Sequence, residues 1–140
     1  MKSLQAVGLA CVLGWLGGEV AYGATLYVNA TNATPGSPYS SWATAATNIQ
    51  AAIDAAARGD EILVAPGTYR ISSEIRIPLE KGLTLRSTQS RAAIIDAQGL
   101  CRGVHIMGTN SLLEGFTIRN GYDATYGGGV RVVRPAIVRD

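Results

Sequence analysis

From Ile62 onward the chain repeats one short pattern, two apolar residues about a single central position. It occurs in Ile62-Leu63-Val64, Ile75-Arg76-Ile77, Leu83-Thr84-Leu85, Val104-His105-Ile106, Phe116-Thr117-Ile118 and Val130-Arg131-Val132, with Ile94-Ile95 and Ile137-Val138 as weaker members. A period of two is the strand period, with the flanking residues on one face and the central residue on the other. Turn signals separate the runs: Pro66-Gly67, Pro78, Gly82, Gly99, Gly103, Gly108, Asn110, Gly115, Asn120-Gly121 and Gly127-Gly128-Gly129. Strands this short bury too little surface to stand as isolated hairpins. Stacked coil on coil they bury a continuous core, which is the solenoid solution. Leu83 to Val104 and Phe116 to Ile137 are each 21 positions apart, whereas Val104 to Val130 is 26. An antiparallel sandwich also uses many short strands. It asks for longer strands and two-residue hairpins, and here only Asn120-Gly121 has that form. The expected fold is all-β, a right-handed parallel β-helix.

Upstream of the triplets, Thr25–Val28 has a short strand pattern, and Asn29–Ser41, with Pro35, Gly36 and Pro38, reads as a surface loop. The helix signal follows. Thr47 stands three residues before Gln50, a capping-box spacing. Ile49, Ala52, Ile53 and Ala56 form one apolar stripe, and Gly59 sits where a helix stop belongs. This predicts an amphipathic helix over 48–58 lying across the open apolar end of the first coil. In the triplets the central residues Arg76, Thr84, His105, Thr117 and Arg131 are expected to point outward.

The first residues have the pattern of a leader. Lys2 supplies a positive charge, Leu4–Leu16 is mostly apolar, and Ala21-Tyr22-Gly23 offers small residues where a signal peptidase cuts. The apolar run is short for a bilayer span. The expectation is a signal peptide over 1–23, a strand and loop over 24–47, and the helix and first coils over 48–140. The mature chain is then secreted, periplasmic or at the cell surface, without a membrane span. Cleavage removes Cys11 and leaves Cys101 alone, either buried and inert or an oxidisable thiol. Twelve basic against ten acidic side chains give a net charge of +2, too small and too scattered for a nucleic-acid binder.

Two stretches, Asn48-Ile49-Gln50-Ala51-Ala52-Ile53-Asp54-Ala55-Ala56 and Gly59-Asp60-Glu61-Ile62-Leu63-Val64-Ala65-Pro66-Gly67-Thr68-Tyr69, resemble the N-terminal part of right-handed parallel β-helix proteins of the pectin-lyase-like superfamily. Gly82–Arg86, Ala93–Asp96, Leu113–Gly121 and Gly127–Val130 fit the same pattern, so the similarity runs from about Thr25 to Asp140. The resemblance implies a secreted protein acting on or binding polysaccharide, a lyase or glycoside hydrolase if it is an enzyme. The alternatives are a non-catalytic surface or adhesion protein, and a fragment with no independent activity. Ala136–Asp140 reads as a strand cut off in progress, which favours a longer parent. Ca²⁺ is implied by the resemblance alone, through carboxylates on adjacent coils such as Asp96, Glu114 and Asp123. No Asp-x-Asp spacing supports it, and no other cofactor is evident. The paired catalytic Asp of β-helix glycosidases and the Asp-Pro-His element of alginate epimerases are not found in the sequence.

The candidate substrate-binding residues are Arg76, His105, Arg119 and Arg131. An outward arginine ladder, which Arg102, Arg134 and Arg139 would extend, suits an acidic polysaccharide, because guanidinium pairs with carboxylate in a bidentate way. Interspersed Asp and Glu also allow ordinary surface charge. The lone His105 reads as a general base or sugar-binding group, or as a plain surface histidine. Gly127-Gly128-Gly129 lacks the Gly-Lys-Ser/Thr ending of a phosphate loop and reads as a turn between coils. No catalytic set is assigned.

Overall fold

The triplets stack as a parallel β-solenoid. The computed structural model describes residues 23–140; the leader reading, with Cys11, therefore falls outside the described residues except at Gly23. Strands β1 (Thr25–Val28), β2 (Glu61–Val64), β5 (Thr84–Ser87), β8 (Ser111–Glu114) and β11 (Ala136–Arg139) form sheet A in that order. Sheet B holds β3 (Gly67–Arg70), β6 (Ala93–Asp96) and β9 (Phe116–Arg119), and sheet C holds β4 (Ile75–Ile77), β7 (Val104–Ile106) and β10 (Val130–Val132). Every strand pairing among the described residues is parallel. Each coil takes one strand from each sheet: β2-β3-β4, β5-β6-β7, then β8-β9-β10.

The flanking residues of the triplets stack in register through this core. Ile62 lies over Leu85 and Leu85 over Leu113; Ile75 lies over Val104, which lies over Val130. Ile62, Leu85, Val104 and Ile106 are fully buried, and each such side chain contributes about 1.5–3 kcal/mol of burial. The true coil spacing corrects the sequence reading. Val104 and Val130, 26 positions apart, are direct partners. The two spacings of 21 join strands of different sheets, because Leu83 leads into sheet A while Val104 belongs to sheet C. Along sheet A the step is 23 from Glu61 to Thr84 and 28 from Thr84 to Leu112. Turns of unequal length absorb the difference, so the core repeats where the sequence does not. Strands β3 and β8 also went unread. β3 follows directly on Pro66-Gly67, and its single buried side chain is Tyr69. β8 turns a serine, Ser111, inward beside Leu113.

Helix α1 (Ile49–Ala55) is two turns long, shorter than the 48–58 expected, and its cap is Asn48, not Thr47. The Asn48 side chain accepts from Ala51 N at 2.8 Å. Ile49, Ala52 and Ile53 join the core. β4 has a strand on one side only, and α1 serves its other edge through Gln50. The Gln50 amide accepts from Arg76 N at 2.8 Å and donates to Arg76 O at 3.3 Å. A side-chain amide thus imitates one residue of a neighbouring strand, a way of blunting a free edge. At the far end Lys81 Nζ donates to the carbonyls of Ile53 and Asp54. Among the described residues no helix is long and apolar enough to cross a membrane.

Candidate functional site

Three of the four candidate residues converge on the outer face of sheet C. Arg76, His105 and Arg131 are register partners on β4, β7 and β10. All three line a cleft of about 490 Å³. Its floor is this row, and its wall is the loop after β9. That loop leaves the coil at Gly121 and returns at Gly128, where the two backbones nearly touch: a Cβ on Gly121 would stand 2.1 Å from Gly128 O. The pinched segment is an Ω-loop, a form that often carries function. It puts Tyr122 and Tyr126 at the mouth, 60% and 55% exposed. The reading of Asn120-Gly121 as the one hairpin-like turn is corrected here, since it opens this longer loop.

His105 is not the exposed outward histidine that its triplet position predicts. It is on the outer face but only 8% exposed, with Glu74 packed against it. Its Nδ1 lies 3.2 Å from Glu74 Oε1. An ionised carboxylate only accepts, so Nδ1 carries the proton. Nε2 is enclosed and has no hydrogen-bond partner among the described residues.

Glu74, in the Ser72-Ser73-Glu74 turn between β3 and β4, is the hub. Its Oε1 also accepts from Arg76 Nε at 2.8 Å, and its Oε2 from Arg102 Nη1 at 2.8 Å. Arg102, 5% exposed, continues to Asp123 Oδ2 at 2.6 Å and donates through Nε to Gly127 O at 3.1 Å. One guanidinium therefore ties the floor turn to the wall loop at two points. Asp123 Oδ1 accepts from the backbone N–H groups of Thr125 and Tyr126, which folds the loop tip. Arg131 stacks on the Tyr126 ring, its guanidinium carbon 4.1 Å from the ring centre.

The electrostatics follow from these contacts. Burial pushes the Glu74 carboxyl up. Hydrogen bonds from Arg76 and His105 and the charges of His105 and Arg102 outweigh that, and leave it below its ordinary value. The backbone donors of Tyr126 and Thr125, then Arg102, hold Asp123 low. Cys101, half-buried at the cleft edge, is raised by burial and by the charge of Glu74. A thiol held protonated is a weak nucleophile.

The fourth candidate, Arg119, is elsewhere. It lies on sheet B, where Nη2 and Nε pair with Asp96 Oδ2 at 3.0 and 3.2 Å. Arg139 is on sheet A in a ladder of alternating charge. Arg86 bridges Glu61 (3.0 Å) and Glu114 (2.6 Å), and Arg139 meets Glu114 at 2.9 Å. The three carboxylates weighed for Ca²⁺ do not fit that ion. Asp96 is on sheet B, Glu114 on sheet A and Asp123 in the wall loop, each held by an arginine. Among the described residues no three His, Cys, Asp or Glu side chains gather as metal ligands.

Glu74, Tyr122 and Tyr126 were not singled out from the sequence. Glu74 sits in a polar turn, and its partners His105 and Arg102 are 31 and 28 positions away. The usable signal was compositional: two tyrosines in a glycine-bounded loop, directly before Arg131. Comparison of the chain with protein-family models, with curated proteins and with solved structures gave no match.

Proposed function

We propose that these coils bind an acidic polysaccharide, outside the cytoplasm, in the cleft over sheet C. One observation carries the reading: Arg131 sits over the Tyr126 ring, and among the described residues it has no carboxylate partner. A guanidinium without a protein counter-charge, beside two exposed tyrosine rings, matches a sugar that bears an anionic group. The rings take the apolar face of the pyranose, and the guanidinium takes the carboxylate. The resemblance to pectin-lyase-like β-helices agrees with such a ligand, as fold analogy only. The leader pattern agrees with export.

Binding without bond cleavage is the better-supported role. A general acid or base must reach the substrate with a free proton or lone pair. Glu74 spends both oxygens on Arg76, His105 and Arg102, Asp123 is held by Arg102 and two backbone donors, and His105 Nε2 is enclosed. Cleavage here would first require an acid to leave its arginine.

Isothermal titration with polygalacturonate, and with neutral dextran as the control, tests the reading. The wild-type chain is expected to bind polygalacturonate alone, more weakly as salt rises. Arg131→Ala is expected to lower affinity about tenfold or more, the scale of one charge-assisted hydrogen bond. Equal binding of dextran, or an unchanged affinity in Arg131→Ala, overturns it.

A further inference from the structure

Behind Tyr122 lies a second cleft, about 520 Å³, which none of the four candidate substrate-binding residues lines. Arg70, Asp96, Gln98, Gly99, Asn120 and Gly121 line it. Tyr122 is the one lining residue that both clefts share, so it stands between them. The partition is built, not incidental. Tyr122 N donates to Cys101 O at 2.8 Å, and Gly99 N donates to Asn120 O at 2.7 Å, so the backbone on either side is pinned to the coil before it.

The charges of the second cleft repeat the logic of the first. Arg70, Asp96 and Arg119 are register partners across sheet B. Asp96 is satisfied by Arg119 and by the Asn120 amide, which donates to it at 2.9 Å. Arg70 is exposed and, among the described residues, makes neither an ion pair nor a side-chain hydrogen bond. An uncompensated guanidinium therefore stands on each side of Tyr122, Arg131 in the first cleft and Arg70 in the second.

We infer that the two clefts are consecutive subsites for one acidic oligosaccharide, which crosses the Tyr122 ring and presents an anionic group to Arg131 on one side and to Arg70 on the other. This rests on the polysaccharide reading above and adds to it a minimum ligand length and a charge pattern. Ligands with a single charge use one subsite only. Joining the two makes the second contact intramolecular, so affinity rises in a step once the ligand spans the ring.

Titration calorimetry of the full chain with a length series of galacturonate oligomers, from the dimer upward, tests this with Arg70→Ala, Arg131→Ala and Tyr122→Ala. The expected result is a jump in affinity at one length. Arg70→Ala is expected to abolish the jump, lowering long-oligomer affinity about tenfold and leaving the dimer unaffected. Arg131→Ala weakens dimer and long oligomers alike, and Tyr122→Ala lowers the affinity of the long ones. Arg70 is exposed, so its replacement leaves the fold intact, which the melting curve checks. If long oligomers bind Arg70→Ala as tightly as wild type while Arg131→Ala still weakens them, the second subsite is wrong and the first cleft stands. If Arg70→Ala weakens the dimer equally, the two are not separate subsites. If no oligomer binds the wild-type chain, both readings fall.

Discussion

Arg102 holds together segments that are far apart in the sequence: the Glu74 turn, Asp123 at the loop tip and the Gly127 carbonyl. Replacing it by methionine keeps the apolar stem, leaves Asp123 without a cation and leaves Glu74 with only Arg76 and His105. Breaking a buried pair costs about 3–5 kcal/mol. Both acids here keep some solvent access, so Arg102→Met is expected to lose about 2–3 kcal/mol, measured by urea unfolding. Arg102→Lys is expected to recover little of it, because a single ammonium lacks the fork that reaches three acceptors. A loss under about 0.5 kcal/mol, the level of an ordinary surface change, would show that the network does not hold the loop. Acid offers a second probe at this scale. Glu74 and Asp123 sit below their ordinary values when folded. Their stabilisation is therefore complete above the unfolded carboxylate value of about 4 and disappears as pH falls through the folded values. The melting temperature is expected to stay level from neutral pH to about 5 and to drop below about 4. Glu74→Gln should flatten that acid limb; an equally steep limb would put its origin in other carboxylates.

Among the elements, the wall loop is the least regular, and the proposed binding reading rests on it most. Its closure depends on Gly121 and Gly128 meeting backbone to backbone, whereas Gly127 has open space where a Cβ would stand. Gly121→Ala is expected to spring the loop: faster proteolytic cleavage within 121–128, weaker polygalacturonate binding, and a lower melting temperature, because Arg102 then loses Asp123 and the Gly127 carbonyl. Gly127→Ala should match wild type in all three, and identical cleavage in the two variants would remove the pinch from the account. The loop also marks where sequence reading stopped. Triplets such as Ile75-Arg76-Ile77 announce both their strand and their buried face, because period two has one structural meaning. β3 does not, since a Pro-Gly turn runs straight into a strand with one buried residue. The outward direction of Arg76, His105 and Arg131 was legible from the triplets, but not their shared row, because the equal spacings of 21 join strands of different sheets. The burial of His105 was not legible either. It involves Glu74, which reaches it from a turn whose length follows no period.

At the scale of the whole molecule, the solenoid separates its apolar core from its charged faces. The inner stacks are regular and apolar, and the variable turns are free to grow outward. The faces then differ in how their charges are balanced. Sheet A neutralises itself through the Glu61–Arg86–Glu114–Arg139 ladder, while the sheet C cleft leaves Arg131 on Tyr126 unneutralised. Isolated surface pairs contribute little to stability. Their consequence here is to leave one face electrostatically quiet and another ready for an anion. The direct test is an amide ¹H–¹⁵N titration of the full chain with galacturonate oligomers. The account predicts shifts concentrated at Glu74, Arg76, Cys101–His105 and Tyr122–Arg131, joined by Arg70, Gln98, Gly99 and Asn120 for oligomers that span Tyr122, with Glu61, Arg86 and Glu114 unmoved. Shifts centred on the sheet A ladder, or none at saturating oligomer, would contradict it.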